Sequence, residues 1–133
     1  MKPKTSKPDN KKVVMVCEDE QELLELYSKV LAFRYDVIKV CSGYECINRY
    51  LEQKAEGSHI DLLFIDYKLG DMLGDAVAKK LKELNGIKII LISAHNLDEP
   101  IKKDLIENKY IEKFLQKPIK MRQIMQEAIE VIC

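Results

Sequence analysis

Three acids, a serine and a lysine in this 133-residue chain stand where chemistry could be done. Glu18 and Asp19 follow the apolar run Val13–Cys17, and Asp66 follows Leu62–Ile65. Ser93 ends an isoleucine-rich run, and Lys117 stands two residues after Ile111–Leu115. Each run reads as a short buried strand, so each polar residue is delivered to a strand's carboxyl end. Three carboxylates gathered without compensation would repel and raise one another's pKa. A hard divalent cation, Mg²⁺ or Mn²⁺, resolves this because it takes oxygen ligands and keeps some of its waters. Lys117 adds a point charge suited to a phosphoryl group, and Ser93 adds a hydroxyl donor. These are the parts for phosphoryl transfer to a carboxylate, where catalysis is mostly positioning and charge neutralisation.

The rest of the chain must bring those ends together. Strands are expected at Val13–Cys17, Asp36–Cys41, Ile60–Ile65, Ile87–Ser93 and Ile111–Leu115. Between and after them, apolar residues at helical spacing predict helices over Glu20–Phe33, Gly43–Ala55, Leu73–Leu84, Leu97–Glu107 and Ile119–Ile132. In the second helix the expected inward stripe is Tyr44, Ile47, Leu51 and Ala55. In the third it is Leu73, Val77, Leu81 and Leu84, with Asn85-Gly86 as the stop. Asp98 is expected to cap the fourth. Five strand–helix units predict an α/β fold, a single doubly wound five-stranded parallel sheet with five helices. Sites in such sheets lie beyond the carboxyl ends of the strands.

Composition narrows the classes further. Lys plus Arg number 22 against 22 Asp plus Glu, so zero net charge offers no general reason to bind nucleic acid or an anionic membrane. No apolar run approaches the ~20 residues of a membrane span, and Glu18, Asp19 and Glu20 interrupt anything like a signal peptide. A cytoplasmic location is the expectation. Residues 1–12 hold five lysines against one aspartate with two prolines, and read as a basic, disordered tail before a domain spanning 13–133. Cys17, Cys41 and Cys46 are expected to be small buried hydrophobes, kept reduced.

With those residues in order, the chain resembles a response-regulator receiver domain of two-component signalling, of the CheY-like superfamily. The likeness rests on VVMVCEDEQELLEL, DLLFIDYKLGDMLG, IILISAH and FLQKPIK. It implies a flavodoxin-like strand order of 2-1-3-4-5. It implies that Asp66 is the phosphoacceptor, taking phosphate from a sensor histidine kinase or a histidine phosphotransfer protein. Glu18, Asp19, Asp66 and the Lys68 backbone carbonyl would hold the metal, and Lys117 would pair with the phosphoryl oxygens. Ser93 and Phe114 would form the switch, and Lys117-Pro118 matches a bond that is often cis in the family. The responding surface would be the fourth helix, fifth strand and fifth helix, on a monomer or a weak activated dimer. Such a domain is a signalling module, not a turnover enzyme.

Two departures from the family pattern stand out, beside Lys68 and His95 at positions flanking the site where the family varies. Gly70 replaces a common proline, which makes the metal-side loop permissive. Asn108, Lys109 and Tyr110 replace a common Gly-Ala before the fifth strand, with Asn108 expected to take the left-handed cap. Lys68 is expected to reach the phosphoryl group and hinder the attacking water, while His95 is expected to be a surface residue. No output domain is expected after Cys133, so the chain is expected to dock its own surface or to come from a longer protein such as a hybrid kinase.

Other classes fit less well. A haloacid-dehalogenase phosphatase wants a second Asp where Lys68 stands. A flavin carrier wants a phosphate loop where three acids stand, and those acids would repel the anion. A phosphorylation-independent interaction domain of the same fold is the remaining alternative.

Overall fold

Strands apolar on both sides must be covered on both faces. In the computed structural model, which describes residues 11–133, five helices do this. In chain order the elements are β1 (Val13–Cys17), α1 (Gln21–Leu31), β2 (Asp36–Val40), α2 (Gly43–Ala55) and β3 (Leu62–Asp66). Then follow α3 (Gly74–Glu83), β4 (Ile89–Ser93), α4 (Glu99–Glu107), β5 (Lys113–Gln116) and α5 (Met121–Ile132). All strand pairs are parallel, in the order β2-β1-β3-β4-β5. That is the order the resemblance implied.

Because successive side chains on a strand point to opposite faces, each central strand feeds two cores. Met15, Cys17, Leu63, Ile65, Ile89 and Leu91 meet Cys46 and Tyr50 of α2, Val77 and Leu81 of α3, and Leu105 of α4. Val14, Val16, Leu62, Phe64, Ile90 and Ile92 meet Leu24, Tyr27 and Leu31 of α1 with Ile124 and Ala128 of α5. Every residue of β3 and β4 is buried. Burying one such Leu, Ile or Phe is worth about 1.5–3 kcal/mol, so four of them in β3 offset a buried carboxylate at its end, which costs several kcal/mol.

The register then sets the site. Cys17 pairs with Ile65, Asp66 with Ile92, and Ser93 with Gln116. The polar residues at those strand ends therefore finish side by side.

Several expectations need correction. The inward stripe of α2 is Gly43, Cys46 and Tyr50, whereas Tyr44 and Leu51 face out at 69% and 42% exposure. Two apolar stripes share this helix, and Tyr50 wins the inner one because its hydroxyl donates to the Leu84 carbonyl at 2.7 Å. Leu73 precedes α3 as its N-cap residue and is exposed. Asp98 stands at the N-cap of α4 but makes no side-chain capping bond. The left-handed position after α4 is Lys109 (φ 61°), not Asn108 (φ −89°).

Cys17 and Cys46 are buried as expected, but Cys41 is exposed, one residue beyond the end of β2. Its thiol donates to Glu45 Oε1 at 3.4 Å, and that bond holds its pKa above the usual value. The first ten residues of the basic tail lie outside the described residues, and the Lys12 carbonyl already accepts from the Asp36 N–H at the sheet edge. Among the described residues, no helix is long and apolar enough to cross a membrane.

Candidate functional site

The loops after β1, β3, β4 and β5 meet at one edge of the sheet. Glu18 continues directly from β1, and its N–H donates to the Val40 carbonyl at 3.2 Å, which fixes its backbone. Asp66 is the last residue of β3, and the next N–H, of Tyr67, donates to the Ile92 carbonyl at 2.7 Å. One oxygen each from Glu18, Asp19 and Asp66 lie within 4.8 Å of one another. Glu18 and Asp66 are buried, at 2% and 7% exposure, and Asp19 is exposed. An all-oxygen cluster with one open side suits a hard cation that keeps water ligands. The three residues fit a divalent-cation site.

Lys117 closes the cluster from β5. Its Nζ lies 3.1 Å from Glu18 Oε1 and 3.2 Å from Asp66 Oδ1. The Lys117 N–H donates to the Ser93 carbonyl at 2.8 Å, which ties the lysine's backbone to the end of β4. The following Lys117–Pro118 bond is cis, as the resemblance implied.

One ammonium faces two buried carboxylates, and the charges do not balance. Burial pushes the Glu18 carboxyl up, and the Asp66 charge adds to it, more than Lys117 offsets. Burial likewise pushes Asp66 up, Lys117 opposes it, and Asp19 adds repulsion. Burial alone would lower Lys117, but its bond to Glu18 and the charges of Glu18 and Asp66 hold it above the usual lysine value. The site is a pocket of excess negative charge.

A pH dependence follows. Acids whose folded pKa is raised stabilise the fold fully below their unfolded pKa, and that contribution is lost as pH rises through the folded value. The metal-free protein is therefore expected to become more stable as pH falls from neutrality toward the ordinary carboxylate range of ~4. A divalent cation should oppose this trend, adding about 2.7 kcal/mol at neutral pH when present at ~100 times its Kd. Thermal unfolding with and without chelator at several pH values checks both. A metal-free melting temperature that falls on mild acidification would contradict the charge balance described here.

Ser93 is buried at 1% exposure, and its Oγ accepts from the His95 N–H at 3.0 Å. Phe114 is half-buried against the core beneath α4, with Lys102 Nζ 5.3 Å from its ring centre. His95 is exposed, as expected. The Lys68 side chain is exposed, and its backbone bridges Leu73 in an antiparallel pair. The sequence reading missed two glycines. At Gly74 a Cβ would stand 2.6 Å from the Asp66 carbonyl oxygen, and at Gly43 it would overlap Met72. Nothing in one sequence separates such glycines from ordinary turn formers.

The family model for the response regulator receiver domain matches residues 14–129. The chain belongs to this family. Receivers are not turnover enzymes, but they catalyse their own phosphoryl transfer, and this one carries the acidic cluster expected of a phosphoacceptor site. A signal receiver domain from Vibrio parahaemolyticus is 26% identical, with a TM-score of 0.79 over 92% of this receiver and 90% of that chain. A CheY-like response regulator receiver domain from Methanospirillum hungatei shares the fold at 23% identity, with a TM-score of 0.77 over 91% and 93% of the two chains. Hybrid signal transduction histidine kinase D of Dictyostelium discoideum is 25% identical over 126 residues. That match covers 92% of this receiver and 8% of the length of that protein.

Proposed function

We propose that this receiver takes a phosphoryl group onto Asp66 from a phosphohistidine of a sensor histidine kinase or histidine phosphotransfer protein, in a Mg²⁺- or Mn²⁺-dependent reaction in the cytoplasm. The observation that carries this reading is the Asp66 carboxylate, set at the sheet edge between two further acids and 3.2 Å from the Lys117 ammonium. An Asp66 oxygen attacks phosphorus, the P–N bond breaks, and its electron pair stays on the departing imidazole. The product is an acyl phosphate, which hydrolysis returns to carboxylate and inorganic phosphate. Glu18, Asp19, Asp66 and the Lys68 carbonyl would hold the cation. When bound, the cation supplies neutralisation of the acceptor and phosphoryl charges.

Lys117 holds Asp66 and Glu18 in place before transfer and faces the new anionic oxygens after it. The Ser93 hydroxyl, now an acceptor for the His95 N–H, would turn to donate to a phosphoryl oxygen. Phe114 would move inward behind it, leaving Lys102. The resulting change reaches α4, β5 and α5, where Ile101 and Ile106 of α4 are exposed at 37% and 45%. This face supports docking of a downstream protein, on a monomer or a weak activated dimer, with no role for nucleic acid or membrane. The four free cysteines favour a reducing compartment.

Intact-mass spectrometry after incubation with acetyl phosphate and Mg²⁺ tests the reading. A single phosphoryl adduct is expected, absent with chelator. No adduct, with Mg²⁺ binding confirmed separately, would favour either a requirement for a phosphohistidine donor or an interaction domain that works without phosphorylation.

Lys68 offers a subsidiary test. An exposed charge near the site is worth up to ~1 kcal/mol, so Lys68→Ala is expected to shorten the phosphoryl lifetime by roughly two- to fivefold. The decay of the adduct with time measures this directly. An unchanged decay rate removes Lys68 from the set of residues that control lifetime.

A further inference from the structure

Asp71 has no part in the phosphoryl chemistry, yet both of its carboxylate oxygens are engaged. Oδ1 accepts from the Gly43 N–H and Oδ2 from the Tyr44 N–H, each at 2.9 Å. These are the first two N–H groups of α2, which a helix leaves without internal partners. The third, of Glu45, donates to Ser42 Oγ at 3.0 Å. The start of α2 is thus capped twice, by Ser42 from its own chain segment and by Asp71 from the loop after β3. An anion at a helix N-terminus is favoured by the aligned peptide dipoles, and the two bonds hold the Asp71 carboxyl below the usual value.

The same contact fixes the loop. Met72 packs where a side chain on residue 43 would otherwise stand, so the loop tip sits directly on the first turn of α2. At the neck, Lys68 bridges Leu73, and the Gly74 N–H donates to the Tyr67 carbonyl at 2.6 Å. Between neck and tip lies Gly70, where an added Cβ would have Asp19 Oδ2 as its neighbour at 3.8 Å. Glycine contributes the least backbone restraint of any residue, so something else must hold this stretch beside the acidic cluster.

We propose that Asp71 is a positioning residue for the divalent-cation site, clamping the Lys68–Gly70 backbone beside Asp19 by anchoring the loop tip to α2. This rests on the cation-dependent receiver reading. It also joins α2 and the metal-side loop into one unit, so a partner gripping α2 would alter cation affinity.

Calorimetric titration with Mg²⁺ on the parent chain and on Asp71→Ala, Asp71→Asn and Ser42→Ala tests the proposal. Loss of an outer-shell support typically weakens metal binding by about tenfold or more, and that is the loss expected for Asp71→Ala. Asp71→Asn keeps one of the two acceptors at the helix start and should fall between Asp71→Ala and the parent. Ser42→Ala removes a cap from the same helix terminus without touching the loop. It should lower the melting temperature much as Asp71→Ala does, yet leave Mg²⁺ affinity unchanged. Parent-like affinity in Asp71→Ala, or an equal loss in Ser42→Ala, would overturn the positioning role while leaving the receiver reading intact. A parent chain that binds no Mg²⁺ would overturn both.

Discussion

Asp66→Asn is expected to end phosphorylation and, at the same time, to make the metal-free protein more stable. Both effects come from one missing charge. The Asp66 carboxyl is buried beside Glu18, and its raised pKa says that folding disfavours its ionised form. Asparagine keeps the shape and leaves Lys117 facing Glu18 alone, one cation against one buried anion. A rise in melting temperature of roughly 2–5 °C is the expected scale for relief of this size. The amide has no anionic oxygen to attack phosphorus, so acetyl phosphate with Mg²⁺ should give no adduct. Mass spectrometry and thermal unfolding on the same preparation read both. A persistent adduct would mean that another residue is the nucleophile. A lower melting temperature would mean that the Asp66–Lys117 pair outweighs the repulsion it sits in. The functional point is that the site holds unfavourable charge in its resting state, which a cation or a proton relieves.

Gly74→Ala is expected to be the most damaging small substitution near the site. Its added Cβ would stand 2.6 Å from the carbonyl oxygen of Asp66, 2.9 Å from Leu91 and 3.1 Å from the Tyr67 Cα. Two of those three neighbours are backbone and cannot swing aside. Overpacking of this kind typically costs about 1–3 kcal/mol, occasionally more. The strain falls on the peptide of Asp66, the proposed phosphoacceptor, so phosphorylation should slow as well as stability fall. Gly70→Ala supplies the contrast. Its Cβ would meet only Asp19 Oδ2 at 3.8 Å, and Gly70 is not among the positive-φ residues. Its reduced backbone freedom in the unfolded chain should leave stability unchanged or raised by up to ~1 kcal/mol. Chemical denaturation of the two variants beside the parent decides the matter. Equal stability for both would show that the chain relaxes freely around residue 74, contrary to the close packing seen there.

Strand ends were the most legible part of this sequence. A strand buried on both faces must be apolar throughout, so Val13–Cys17 and Leu62–Ile65 mark themselves, and the first charge after each run marks its carboxyl edge. Glu18, Asp19 and Asp66 were therefore recognisable before any geometry was known, and Lys117 through the family likeness of FLQKPIK. Helix faces were less legible. In α2 the pattern Tyr44, Leu51 competes with Cys46, Tyr50, and hydrophobicity alone cannot rank a stripe that needs a partner for a tyrosine hydroxyl. That partner, the Leu84 carbonyl, lies 34 residues away.

Cys41 shows the same limit at a strand end. It continues an apolar alternation, but β2 is an edge strand that finishes at Val40, so the next side chain meets solvent. The sequence by itself determined the order of strands and helices, the acidic and basic residues of the site, and the family, because these depend on local periodicity and on side-chain chemistry. Only the tertiary structure decided that Lys117 is shared between Glu18 and Asp66, that Asp71 caps a helix beginning 28 residues earlier, and that Gly74 must be glycine. Those facts are distances between groups far apart in the chain. Such distances are set by how two packed faces and a parallel register bring the loops together, and no stretch of sequence encodes them alone.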